Sequence, residues 1–435
     1  MRINSVMLTN FRCFEQQTFS FDQRATVIIG NNTTGKSTIL EALAVSMGGF
    51  LLGIPNSFAG VTKKAHTRNI DNQDIRRFFA KDQEVVSVEY KTPSIIETHG
   101  SLPGIEQPLQ WRRQLKKLGG RADNSECNKV SNAAKKCYEQ ATEQGNTTLP
   151  VLIYYGTGRL WAGQNTNIDK LAETNTALGY YYSLKPDAQN KILMPWLAKM
   201  DRIAWERKQT PTILQAVYDA IIELIPGTTK CYYSSEYNEL TLEFGSKKFP
   251  FSNLSDGQRN VVSLVGDLAM RCAHLNQHLG IEAAKSSPGV VLVDEIDANI
   301  HPSWQKNLIP NIVKYFSNIQ FVFTTHSPFI VQSVSEGKII NLDDSHSYES
   351  PANGWDKSVE EISIDIMGLD TVRSKDFDEM TQTAQDYYAL LNQGANDTSE
   401  AVVNLAEKLD YYEQYYAKQP AYVAMLKAQR RERGL

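Results

Sequence analysis

The run Gly30-Asn31-Asn32-Thr33-Thr34-Gly35-Lys36-Ser37 constrains this chain more than any other stretch. It fits G-x-x-x-x-G-K-[ST] and lies between a β-rich run, Ala25 to Ile29, and a segment with helical apolar spacing at Ile39, Leu40, Leu43 and Met47. Glycines at both ends let the backbone wrap a polyphosphate, while successive amides and the helix N-terminus supply partial positive charge. Lys36 is then placed to reach β- and γ-phosphates and the Ser37 hydroxyl to ligate Mg2+, with Asn31, Asn32, Thr33, Thr34 and Thr38 completing the loop. A strand, loop and helix of this kind call for an α/β fold whose strand ends carry the ligand.

A second run, Val290-Val291-Leu292-Val293, ends in Asp294-Glu295. Such apolar runs suit strands buried on both faces of a parallel sheet, so two carboxylates emerge at a strand's carboxyl end, where ligands bind. Asp294 is suited to hold Mg2+ through its water shell, and Glu295 to orient and deprotonate an attacking water. Having both points to hydrolysis; the alternative is a solvated acidic turn. A later apolar run, Ile319 to Thr324, delivers His326 to the same edge, either as a structural imidazole or as a γ-phosphate sensor. Leu254-Ser255-Asp256-Gly257-Gln258-Arg259 precedes an apolar helical run, Val261 to Leu268. Exposed amides at that helix start suit a phosphate, although taken alone an ordinary N-cap explains them better.

The remaining pattern sets the organisation. Arg2 to Phe21 alternates like a hairpin; Glu84 to Tyr90, Leu109 to Leu115, Pro150 to Tyr155 and Leu240 to Phe251 read as strands. The polar stretch Asp123 to Thr148 reads as a surface excursion, and Thr166 to Ile225 as a helical, aromatic-rich inserted lobe. The length of 435 residues exceeds what one core usually serves. The expected division is a head in two parts, 1–160 and 229–345, a helical insertion at 161–228 and a C-terminal helical lobe at 346–435. In that lobe Tyr387, Tyr388, Leu391, Leu405, Leu409, Tyr412 and Tyr416 form stripes suited to a helical hairpin, with surface left over for a partner. The five scattered cysteines lack metal-site or disulfide spacing, which favours the reducing cytoplasm. No segment reaches the ~18 apolar residues of a membrane span. A net charge of −4 gives no general attraction for nucleic acid, so any DNA contact needs a local patch; Arg112, Arg113, Lys116, Lys117 and Arg121 are the candidate, against an ordinary solvated face.

Together these residues resemble the head of ABC-type ATPases, and more closely the RecF-like, structural-maintenance-of-chromosomes and OLD groups. The resemblance rests on Leu8-Thr9-Asn10-Phe11-Arg12, the phosphate loop at Gly30 to Ser37, a signature at Leu254 to Gln258, the Asp294-Glu295 strand, a D-loop at Asp297 to Pro302 and a switch histidine, His326. It implies a P-loop NTPase with a mixed sheet flanked by helices, using ATP and Mg2+. It also implies that Ser255, with Gly257 and Gln258, completes the site of a second copy, so that the unit is at least a dimer. Arg12 is implied as a nucleotide contact, with a surface salt bridge as the equal alternative. Asp256 stands where transporters carry glycine, which argues against transport. Gln73 and Gln83 lie near the expected glutamine loop without a diagnostic neighbourhood, and Asp343-Asp344 is an isolated pair rather than a nuclease cluster. Leu149 to Arg159 and the tail from Ser358 through Ile366-Met367-Gly368 look like the stand-alone ATPases of anti-phage systems, the Septu ATPase PtuA in particular. That likeness implies a separate HNH endonuclease partner and a role in phage defence. The alternative is a RecF-like or SMC-like repair or recombination ATPase acting directly on DNA.

Overall fold

Strands apolar along their whole length must be covered on both faces, and this determines where the sheet sits. The computed structural model describes residues 1–55, 67–82, 85–160, 176–186, 190–343, 347–349, 357–393 and 399–415. Along the chain, β1 (Arg2–Phe11), β2 (Phe14–Ser20) and β3 (Ala25–Ile29) precede α1 (Lys36–Leu51). Next come β4 (Arg76–Asp82), β5 (Val85–Lys91), β6 (Ser94–Ser101), β7 (Leu109–Leu115), α2 (Asn128–Gln144), β8 (Val151–Tyr155), α3 (Asn190–Arg207) and α4 (Thr212–Leu224). β9 (Lys230–Ser234), β10 (Glu239–Phe244) and β11 (Lys247–Pro250) lead into α5 (Asp256–Leu275), α6 (Ala283–Ser286), β12 (Gly289–Val293) and α7 (Pro302–Tyr315). β13 (Ile319–Thr324), α8 (Pro328–Ser333), β14 (Lys338–Asn341), β15 (Ser347–Glu349), α9 (Val359–Glu361), α10 (Lys375–Asn392) and α11 (Glu400–Tyr415) follow.

The central sheet runs β15-β14-β3-β13-β12-β8. All its pairings are parallel except that of β15 at the edge. Every residue of β3, β8, β12 and β13 is buried. A second, antiparallel sheet, β2-β1-β6-β7, is built from the alternating N-terminal strands. Helix α1 touches strands of both sheets, which is why it is buried all round from Ala42 to Leu51 rather than along one stripe. Each of its large apolar side chains, such as Leu43, Met47 and Phe50, contributes roughly 1.5–3 kcal/mol by that burial.

Several expectations are corrected here. The polar stretch from Asp123 holds a helix, α2, whose Val130, Ala134, Cys137 and Tyr138 are buried at helical spacing. The described helices of 161–228 do not stand apart: α4 packs along α5, and both belong to the compact unit Met1–Ile362. The second unit is Ser363–Leu435, so the division falls after Ile362 rather than at 346. Within that unit α10 and α11 form the hairpin, burying Ala384, Tyr387, Val402 and Leu409 with Tyr388, Leu391 and Leu405 packed against them. Tyr416 lies outside the described residues.

Of the basic segment, Lys116, Lys117 and Arg121 are exposed, but Arg113 is not part of any surface. Arg113 shares the inward face of β7 with Trp111 and Leu115 and is fully buried. Its guanidinium donates to the carbonyls of Val45 (2.5 Å) and Arg68 (2.7 Å) and to Asn124 Oδ1 (2.8 Å), and burial pushes its pKa down to about 10. Arg112 is paired with Glu97 (2.6 Å) and Glu126 (3.4 Å), and Lys116 with Asp123 (2.8 Å). No described helix is long and apolar enough to cross a membrane.

Candidate nucleotide site

Parallel pairing sets the site's edge. The register places Val293 beside Phe323 and Thr324 beside Ile28, so β12, β13 and β3 release their next residues side by side. Those residues are Asp294-Glu295, Thr325-His326 and Gly30. The loop from Gly30 makes its turn with Gly35 at φ +106, where a Cβ would stand 2.6 Å from Phe14 Cζ and 2.7 Å from Cys13 Sγ, so only glycine fits. Lys36 opens α1 and folds its ammonium back onto the carbonyls of Gly30 and Asn31, both at 2.8 Å. Burial lowers its pKa, opposed by Asp343, Asp294, Glu295 and Asp297. Ser37 is exposed beside it.

Asp294 is buried, and Thr324 Oγ1 donates to its Oδ1 at 2.5 Å. The same hydroxyl accepts the Glu295 amide at 2.8 Å, and Thr324 O accepts the Ile296 amide at 3.1 Å. One threonine of β13 therefore sets both carboxylate-bearing residues of β12, and Glu295 leaves the strand at φ +45. Thr325 Oγ1 donates to Asp297 at 2.5 Å, tying the D-loop to the switch strand, while His326 stands exposed next to it. Among the described residues no group of three or more His, Cys, Asp or Glu could hold a metal. The oxygen donors present, the Ser37 hydroxyl and one anchored carboxylate, suit Mg2+, which takes its remaining ligands from phosphate and water.

The signature residues open a different helix, α5. Ser255 caps α5 in a capping box with Gln258, each side chain bonding the other's backbone amide at 3.3 and 3.0 Å. Gly257 lies flat on the D-loop: a Cβ there would meet Asn299 O at 2.2 Å, and Asn260 Nδ2 donates to Ala298 O at 3.0 Å. Ser255, Gly257, Gln258, Asn299, His301 and Trp304 line one open groove. The N-cap reading is thus realised, and the cap faces solvent. Arg12 takes its salt-bridge alternative, reaching Glu41 and Asp74, each at 3.0 Å, in a network shared with Arg68. Gln73 is exposed and Gln83 lies outside the described residues; Tyr155-Gly156-Thr157, leaving β8 beside Asp294, carries no glutamine.

A family model described as AAA domain matches residues 5–225, more than half of the chain. The chain belongs to the AAA-domain family. A second AAA-domain model, whose description also mentions an AbiEii toxin of a type IV TA system, matches residues 234–332. This AAA-domain ATPase is 23% identical to the Retron Ec83 probable ATPase of Escherichia coli, over 81% of this chain and 73% of that one. It is 24% identical to the Retron Vc95 probable ATPase of Vibrio cholerae, over 91% and 85%. The Septu protein PtuA of Bacillus mycoides is 29% identical over 41% of this chain and 25% of its own. The solved SMC head bound to the C-winged helix domain of ScpA aligns with 78% of this chain and 94% of that chain at 18% identity and a TM-score of 0.47.

One residue at the loop of this AAA-domain ATPase escaped the sequence reading. Asp343, just past β14, accepts the Asn31 amide at 3.1 and 2.9 Å and is the largest favourable charge acting on Lys36. No local motif announces it, because β14 reaches β3 only by tertiary pairing. Its partner Asp344 lies outside the described residues. Asp343→Asn keeps an oxygen acceptor for Asn31 but removes a negative charge from beside the loop. ATP affinity measured by calorimetry then rises about two- to fivefold, and the gain shrinks as salt rises. Weaker binding in the variant would instead make Asp343 a ligand.

Proposed function

We propose that the enzyme is a Mg2+-dependent ATPase of bacterial anti-phage defence, working as at least a dimer whose nucleotide sites are shared between copies and controlling a separate HNH nuclease. The observation that carries the hydrolytic part is the Thr324 clamp, which sets Asp294 and Glu295 at the edge where the Gly30 to Ser37 loop begins. In this reading Lys36 holds β- and γ-phosphates, with amides of Asn31 to Gly35 and the flanking Thr38 around them. Ser37 and Asp294 hold Mg2+, Glu295 deprotonates the attacking water, and His326 contacts the γ-phosphate. Ser255, Gly257 and Gln258 contact the phosphates of the other copy, which suits a helix start that already faces solvent in an open groove. The defence role is supported by similarity to retron ATPases across most of the chain and to Septu PtuA over part of it.

The alternative of a repair ATPase clamping DNA directly has less support from the basic segment, since Arg113 is buried and Arg112 and Lys116 are ion-paired within the chain, leaving Lys117 and Arg121 exposed. Co-expression with a candidate HNH nuclease tests the defence reading. Wild-type ATPase then lowers phage plating efficiency and co-purifies with the nuclease, and Glu295→Gln abolishes protection without losing the complex. Full protection by the ATPase with no nuclease present would overturn it.

A further inference from the structure

Tyr155 ends β8 fully buried, and it has two attachments in different parts of the head. Its carbonyl accepts the Asp294 amide at 2.8 Å. Its hydroxyl donates to Asp267 Oδ2, also at 2.8 Å. Asp267 belongs to α5, the helix that begins at Ser255, and is paired there with Arg271 Nε at 2.7 Å. Arg271 also grips the carbonyls of Gly179 (3.0 Å) and Tyr181 (2.9 Å). One residue therefore joins the metal-carboxylate end of β12 to the signature helix, by main chain on one side and side chain on the other.

The surroundings make this an unusual choice of chemistry. The neighbouring buried positions of α5 are Val262, Val265, Leu268 and Ala269, and an apolar pair would pack there as well as an ion pair that must be desolvated. The pair lies within α5 and reaches other elements through its hydrogen bonds, Asp267 to Tyr155 of β8 and Arg271 to the carbonyls of Gly179 and Tyr181. Burial, then the Asp267 charge, raise the Tyr155 pKa, so the phenol stays a donor.

We infer that Tyr155 is a positioning residue for hydrolysis: its hydroxyl bond to Asp267 carries the position of α5, and hence of Ser255, to Asp294 at the Mg2+ site. This rests on the proposed roles of Asp294 and Ser255. It requires no contact between Tyr155 and nucleotide, and it predicts an effect on metal use and turnover rather than on nucleotide affinity.

The test uses the full chain and two single-oxygen deletions. Tyr155→Phe keeps the ring and the carbonyl bond to Asp294 and removes only the tie to α5. Tyr180→Phe is the control, since Tyr180 is equally buried and its hydroxyl donates to Pro150 O at 2.7 Å rather than to a residue of α5. Tyr155→Phe is expected to lower kcat roughly tenfold and to raise the Mg2+ concentration for half-maximal turnover about fivefold, with KM for ATP at saturating Mg2+ within about twofold of wild type. Tyr180→Phe is expected to lower the melting temperature and leave Mg2+ dependence unchanged. Wild-type kcat and Mg2+ dependence in Tyr155→Phe, or the same Mg2+ shift in both variants, would overturn the inference. A wild-type chain without Mg2+-dependent turnover would overturn the reading beneath it, and the inference with it.

Discussion

In the Glu295→Gln variant, ATP turnover falls by about 10²- to 10⁴-fold, the range a positioned general base contributes, while ATP affinity stays within about twofold. The amide has the size of the carboxylate, and the backbone beneath it does not depend on the charge. The Glu295 amide is held by Thr324 Oγ1 and the Ile296 amide by Thr324 O, and Asp294 keeps its own hydrogen bond from the same hydroxyl. Loss of the proposed base therefore leaves the proposed metal carboxylate and the phosphate loop in place, so bound ATP accumulates and the proposed dimer stays in its nucleotide-held form. Single-turnover kinetics on the purified variant check this. A kcat equal to wild type would remove Glu295 from the chemistry.

The phosphate loop and the Asp294-Glu295 strand were legible because their chemistry demands given residue types at short, fixed spacing, between elements that announce themselves by apolar runs. What organises them was not. The Thr324 to Asp294 bond spans 30 positions, the Tyr155 to Asp267 bond 112, and the Asn31 to Asp343 contact 312. The first and third exist because the sheet order β14-β3-β13-β12-β8 brings distant strands together, and the second because α5 packs on β8; no local window contains either arrangement. Other misses were avoidable. Arg113 alternates with Trp111 and Leu115 and so belonged to the buried face of β7, but a run of cations drew attention to charge instead of period. The α2 helix was hidden by Asn, Lys and Gln on its solvent side, although Val130, Ala134, Cys137 and Tyr138 keep helical spacing. Ser255 looked like an N-cap and is one; that fact does not compete with a phosphate role, because the cap leaves the groove beside it open.

Lys36→Ala is the second large effect, and it falls on binding rather than turnover. The ammonium bonds the Gly30 and Asn31 carbonyls at 2.8 Å, a position from which it can turn to a triphosphate. Removing a charge-assisted contact of this kind costs about 2–4 kcal/mol, roughly 30- to 900-fold in ATP affinity. The carbonyls left behind border an exposed loop and find water, so the fold is retained. Calorimetry with ATP reads the loss, and equal affinity would exclude Lys36 as the phosphate ligand. A partner for this variant comes from Ser255→Asp, which keeps a good N-cap for α5 but sets a negative charge where a phosphate from the other copy is proposed to lie. At an ATP concentration near the wild-type KM, each variant alone is expected to be nearly inactive.

Mixing the two inactive variants in equal amounts tests the shared site most directly. If each site combines the Gly30 to Ser37 loop of one copy with the Ser255 helix start of the other, a mixed dimer holds one site with both defects and one with neither. Turnover then returns to about a quarter of wild type, since half the dimers are mixed and each carries one intact site. Sites built within a single chain would leave every site defective, and a mixture as inactive as its components would contradict the account.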